Sequence, residues 1–103
     1  MMKALGVALA FLALGVMTCN VLGRDIDGDE AAKLQATGTI QPLDQLTTLA
    51  LTRHPGAVLG DTDLDEKYGH YIYQVELRDA QGVEWEIELD ATSGQVLKDH
   101  QDR

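Results

Sequence analysis

The chain has 103 residues, 17 acidic against 8 basic side chains, a formal net charge of −9 and one cysteine. That length holds one domain at most. The charge repels nucleic-acid phosphates and asks for a basic electrostatic partner, and a single cysteine excludes an intramolecular disulfide.

Residues 1–23 read as an export segment. Lys3 supplies a positive start, and Ala4 to Met17 is an uncharged apolar run, shorter than the roughly 20 residues of a membrane-spanning helix. Val21-Leu22-Gly23 then places small residues three and one positions before a cleavage point. Two other readings compete. One is an uncleaved anchor running on through Leu22. The other is lipidation of Cys19, although Val16-Met17-Thr18 before it fits a bacterial lipobox poorly. Cleavage after Gly23 removes Lys3 and Cys19 but no acid. The remaining domain is then more negative still, held together by packing alone, periplasmic or secreted, and not inserted in a membrane.

Residues 24–41 predict a short polar helix with flanks. Asp27 and Glu30 fit a capping box, Glu30 to Ala36 are good helix formers, and Gly38 is the stop. Leu34 is the one large apolar side chain of that helix, so weak docking is expected. A stronger helix follows. Pro42 suits its first position, and Asp44 sits in its first turn. Leu43, Leu46, Leu49 and Ala50 make one apolar stripe. Arg53 and His54 suit the C-terminal end, and Pro55-Gly56 ends it.

Ala57 to Asp65 predicts a strand, diluted by Gly60 and several acids, and Glu66-Lys67-Tyr68-Gly69 a turn. From His70 to Arg78, Tyr71, Tyr73, Val75 and Leu77 alternate with polar residues. From Val83 to Asp90, Val83, Trp85, Ile87 and Leu89 alternate with Glu84, Glu86, Glu88 and Asp90. Period-two alternation on either side of a glycine-containing turn predicts a hairpin with one buried face. Ala91 to Gly94 is another turn, Gln95 to Lys98 a short last strand, and the chain from Asp99, including residues 100–103, a frayed tail.

The hairpin register follows from which residues must share a face. A three-residue loop, Ala80-Gln81-Gly82 with Gly82 left-handed, pairs Leu77 with Trp85, Val75 with Ile87 and Tyr73 with Leu89. A two- or four-residue loop sets Leu77 against an acid. On the opposite face the same register pairs Arg78 with Glu84, Gln74 with Glu88, and Glu76 with Glu86. That last like-charge pair is mildly destabilising, with Arg78 placed diagonally to relieve it. The expected architecture is α+β: a helix packed on one face of a three- to four-stranded antiparallel sheet, preceded by a short helix.

Candidate chemistry is sparse. Asp25, Asp27 and Asp29 are spaced as a calcium loop begins, but Glu30 and Ala36 stand where such a loop needs Gly and Glu. His54, His70 and His100 carry no metal-pairing spacing, so no metal ligand and no cofactor is assigned. Ser93 lies in a turn and Cys19 in the export segment, so no catalytic residue is assigned either. Tyr71, Tyr73 and Trp85 fall on the buried face, and Tyr68 stands apart in a turn as a candidate contact. What remains is the glutamate face, Glu76, Glu84, Glu86 and Glu88. It reads either as an ordinary solvated face or as a surface for a basic partner or a divalent cation.

The run from Leu43 to Leu97 resembles the PepSY domain. The resemblance rests on the leucine-rich helix ending in Arg53-His54-Pro55-Gly56-Ala57 and on Gly69-His70-Tyr71-Ile72-Tyr73-Gln74-Val75-Glu76-Leu77. The acid-alternating strand and Asp90-Ala91-Thr92-Ser93-Gly94-Gln95-Val96-Leu97 complete it. It implies a PepSY-like domain over residues 42–99. Such modules occur in propeptides of secreted metallopeptidases, as small exported proteins and in envelope membrane proteins. They are regarded as non-catalytic, with a proposed role in inhibiting or regulating peptidases. The metallopeptidase His-Glu-x-x-His signature does not occur in the chain. The expectation is therefore an exported, non-enzymatic module that binds and modulates another envelope protein, a peptidase or a membrane sensor, with Glu76, Glu84, Glu86 and Glu88 as the contact. The alternative is a small-ligand or cation-binding module of the bacterial envelope.

Overall fold

The computed structural model describes residues 23–102. The export segment, with Lys3, the apolar run and Cys19, lies outside the described residues apart from Gly23. Among the described residues the order is β1 (Arg24–Asp25), α1 (Gly28–Ala36), α2 (Leu43–Arg53), β2 (Val58–Lys67), β3 (His70–Arg78), β4 (Glu84–Asp90) and β5 (Val96–Gln101). The five strands form one antiparallel sheet in the order β1-β2-β3-β4-β5. No helix among these residues is long and apolar enough to cross a membrane.

Leu46 and Ala50 of α2, with Leu43 and Leu51 packed beside them, cover one face of the sheet, whereas Leu49, expected in the same stripe, is exposed. Leu46 and Ala50 are fully buried against Tyr73, Val75 and Leu77 of β3 and Ile87 and Leu89 of β4. Tyr71 and Trp85 pack at the margin of this core. Tyr73 ends in a hydroxyl, and burying it requires a partner. Thr47 of α2 supplies one, 2.9 Å from Tyr73 Oη. Pro42 offers no side-chain cap. The first N–H of α2, at Leu43, instead donates to Gln35 Oε1 at 2.9 Å. The two helices are thereby tied end to end.

The hairpin adopts the register that its alternation predicts. Leu77 faces Trp85, Val75 faces Ile87 and Tyr73 faces Leu89, while Arg78 faces Glu84, Glu76 faces Glu86 and Gln74 faces Glu88. Gly82 is left-handed at φ +84°. Asp79 organises the loop, its Oδ1 accepting from the N–H groups of Gln81 and Val83 at 2.9 Å. Asp90 does the same for the next turn, its Oδ1 accepting from Thr92 and Ser93 at 2.8 and 3.0 Å.

Five expectations are corrected. The N-terminal segment is not all helix: Arg24 and Asp25 pair with Glu66 and Asp65 as a fifth strand. Nor does it dock weakly, because Ile26, Ala31 and Ile40 join the core. Asp27 caps α1 through Glu30 N–H at 2.8 Å. The Glu30 carboxylate does not complete the box, however, because it is taken by Arg24, at 3.0 and 2.8 Å. Arg24 also holds Glu66 at 2.7 Å, so one cation joins β1, α1 and β2. The turn before β3 is tighter than expected: Lys67 pairs with His70, leaving Tyr68 and Gly69, both at positive φ. Finally, the chain from Asp99 is not a frayed tail. Strand β5 runs to Gln101, and Asp102 N–H still donates to Glu84 O at 2.7 Å.

Candidate binding face

The sheet face away from α2 carries the candidate residues. Strand alternation sends even-numbered side chains of β3 and β4 there, and the register gathers Glu76, Glu84, Glu86 and Glu88 into one patch. Their environments differ. Glu84 holds Arg78 at 2.6 Å. Glu88 lies 3.6 Å from Lys98. Glu86 contacts Gln74 Nε2 and stands 3.4 Å from His100 Nε2. The like-charge pair Glu76–Glu86 is thus relieved by Gln74 and His100, whereas Arg78, the diagonal neighbour expected to do so, is engaged by Glu84. Glu76 is exposed. Desolvation, then the neighbouring carboxylates of Asp61, Asp102, Glu84 and Glu86, push its carboxyl above the usual range.

Sequence reasoning missed half of this patch. Asp61 and Asp63 of β2 belong to it. They line a depression with Gln74 and Glu76. A bulge puts them there: Leu59 faces Leu77 and Thr62 faces Val75, so Gly60 and Asp61 together oppose Glu76. Gly60 permits the close approach, because a Cβ at that position would lie 3.2 Å from Glu76 O. The period-two acids Asp61, Asp63 and Asp65 were the available signal. At the other edge, His100 and Asp102 reach the face because β5 extends past Lys98. Ligand atoms of Glu86, His100 and Asp102 all lie within 4.8 Å of one another. A cleft of about 100 Å³ between Gly60, Glu76, Arg78, Glu84, Trp85 and Asp102 marks the floor of the patch.

The acids near the N-terminus do not form a calcium loop. Asp25 faces Asp65 in β1–β2, Asp27 caps α1, and Asp29 lies in its first turn. Asp65 Oδ1 is buried without a hydrogen-bond partner. Burial, then the hydrogen bond and charge of Asp25, push the Asp65 carboxyl up to about 6.

The helix side of the sheet carries a second polar group that no sequence spacing announced. Asp99 of β5 receives Arg53 Nε at 2.9 Å on one oxygen and lies 2.9 Å from His54 Nε2 on the other. The residues are 46 and 45 positions apart. Trp85 Nε1 donates to Asp79 Oδ2 at 2.9 Å. These bonds fasten the C-terminal end of α2 to β5, and the hairpin loop to β4.

A helix laid across a twisted antiparallel sheet, with the far face open and acidic, defines a small two-layer α+β module. The model of the PepSY family, "Peptidase propeptide and YPEB domain", matches residues 40–100, and the chain belongs to that family. Members are generally non-catalytic modules. The chain is also 37% identical over 46 residues to the uncharacterized protein YkoJ of Bacillus subtilis (strain 168), a stretch covering 45% of this chain and 27% of YkoJ. The chain thus spans well under two thirds of the length of that curated relative. No solved structure matches it.

Proposed function

We propose that this protein is an exported, non-enzymatic PepSY module that binds a basic surface on another envelope protein, a peptidase or a membrane sensor, and modulates it. The observation that carries the reading is the collection of Asp61, Asp63, Glu76, Glu84, Glu86 and Glu88 on the one sheet face that α2 leaves uncovered. A solvated sheet face needs polar side chains but not an excess of one sign, and here the six acids outnumber the bases Arg78 and Lys98 that share the face. Concentrating one sign raises the local potential and steers a partner of opposite sign. Family membership supports a regulatory rather than a catalytic role. Export rests on Lys3, the apolar run to Met17 and the small residues at Val21 and Gly23.

The test is capture from bacterial envelope extract by the tagged protein, followed by elution with salt. Exposed charges are screened over about 8–10 Å at physiological ionic strength, so a partner retained at low salt is expected to elute as salt rises. Retention that is indifferent to salt contradicts the reading.

A further inference from the structure

We propose that Glu86, His100 and Asp102 form an open three-donor site for a borderline divalent transition ion of the zinc type. The proposal does not rest on the partner reading, because ion binding is a property of the isolated protein.

The fold builds the site from two adjacent strands. Glu86 of β4 and His100 of β5 are direct cross-strand partners, so their side chains leave the same face side by side. Asp102 follows two positions after His100, and the bond from its N–H to Glu84 O at 2.7 Å keeps the strand geometry that far. The three side chains therefore converge by register rather than by loop conformation.

The distances fit a metal better than they fit a hydrogen bond. His100 Nε2 and Glu86 Oε1 are 3.4 Å apart, beyond the usual 2.7–3.2 Å range of an N–H···O bond. Zinc bonds of about 2.0–2.2 Å to nitrogen and oxygen set the edge of a tetrahedron at about 3.3–3.6 Å. That edge is already in place. Asp102 completes the triangle within 4.8 Å, and small side-chain rotations at this open edge bring its oxygen in. A fourth position faces solvent, as in open zinc sites with three protein donors.

The surroundings favour a cation. Glu76 and Glu84 add negative potential beside Asp102 and Glu86. The nearest bases are already engaged, Arg78 by Glu84 at 2.6 Å and Lys98 near Glu88 at 3.6 Å. The imidazole sets the class of ion. Calcium and magnesium take oxygen donors, whereas imidazole suits zinc, copper and nickel.

The experiment is thermal unfolding of the purified full chain with zinc chloride, with calcium chloride in parallel. At zinc 100 times above the dissociation constant, mass action raises the melting temperature by roughly 10–20 °C for a domain of this size. His100→Gln and Asp102→Asn are each expected to remove the zinc-dependent rise while leaving the ion-free melting temperature within a few degrees, since both are surface positions. His70→Gln is expected to keep the rise. Cobalt(II) in place of zinc should develop visible absorption bands that His100→Gln loses. The proposal is overturned by the absence of any rise at millimolar zinc, by an equal rise with calcium, or by a zinc-dependent rise that survives both His100→Gln and Asp102→Asn.

Discussion

The His54 imidazole lies against the Trp85 indole, ring centroids 4.2 Å apart and planes 29° from parallel. The same imidazole reaches Asp99 of β5, and the same indole reaches Asp79 in the hairpin loop. One stacked pair thus joins the end of α2, the last strand and the central hairpin. His54 Nε2 and Trp85 Nε1 are each satisfied where the rings are half-buried.

Removing the acid at one end of this group should loosen it. Asp99→Ala leaves Arg53 and His54 without their shared acceptor and is expected to cost about 1–2 kcal/mol in urea unfolding. The acid limb of stability carries the same signature. Burial pushes the Asp99 carboxyl up, but hydrogen bonds from His54 and Arg53 outweigh it and hold it below the usual range. Hydrogen bonds from Trp85, Val83 and Gln81 lower Asp79 as well. A depressed folded value means that these contributions are fully present above the unfolded Asp value of about 3.9 and are lost as pH falls below it. Stability should therefore decline from about pH 4 downward, and Asp79→Asn with Asp99→Asn should flatten that decline.

Asp65 should behave with the opposite sign. Its folded value is raised to about 6, so the neutral form is the one the fold prefers. Its contribution is fully present below about pH 3.9 and is lost as pH rises through 6. Asp65→Asn is expected to stabilise the protein at pH 8 by about 1 kcal/mol after allowance for solvent screening, and to change little at pH 4. Equal effects at the two pH values would contradict the Asp25–Asp65 account.

Gly82 tests the hairpin. Its φ of +84° is left-handed, and no atom stands within 4 Å of an added Cβ. Gly82→Ala therefore meets only the backbone penalty, about 1 kcal/mol, without a steric clash. Amide exchange in the loop should quicken, while the Leu77–Trp85 pairing persists.

The hairpin was legible because apolar residues at period two admit only one register once a face is buried. The α2 stripe was legible for the same kind of reason, at helical spacing. What escaped was held by other forces. Arg24 and Asp25 carry no apolar signal, and they form a strand through backbone pairing and the Arg24 bridge to Glu30 and Glu66. Asp99, His100 and Gln101 alternate no hydrophobes, yet β5 continues through them beside Trp85, Glu86 and Ile87. Four glutamates of the candidate face were readable from the hairpin register. Asp61 and Asp63 depended on a bulge, and His100 and Asp102 on a strand that polar residues alone do not announce.

The central claim is that the acidic face is the contact surface. The most direct measurement compares capture from envelope extract at low salt by the unaltered protein, by Glu84→Lys with Glu86→Lys, and by Asp44→Lys on exposed helix α2. The account predicts one protein retained by the unaltered chain and by Asp44→Lys, and lost with the double reversal. The same protein retained by all three, or no protein retained by any, would contradict it.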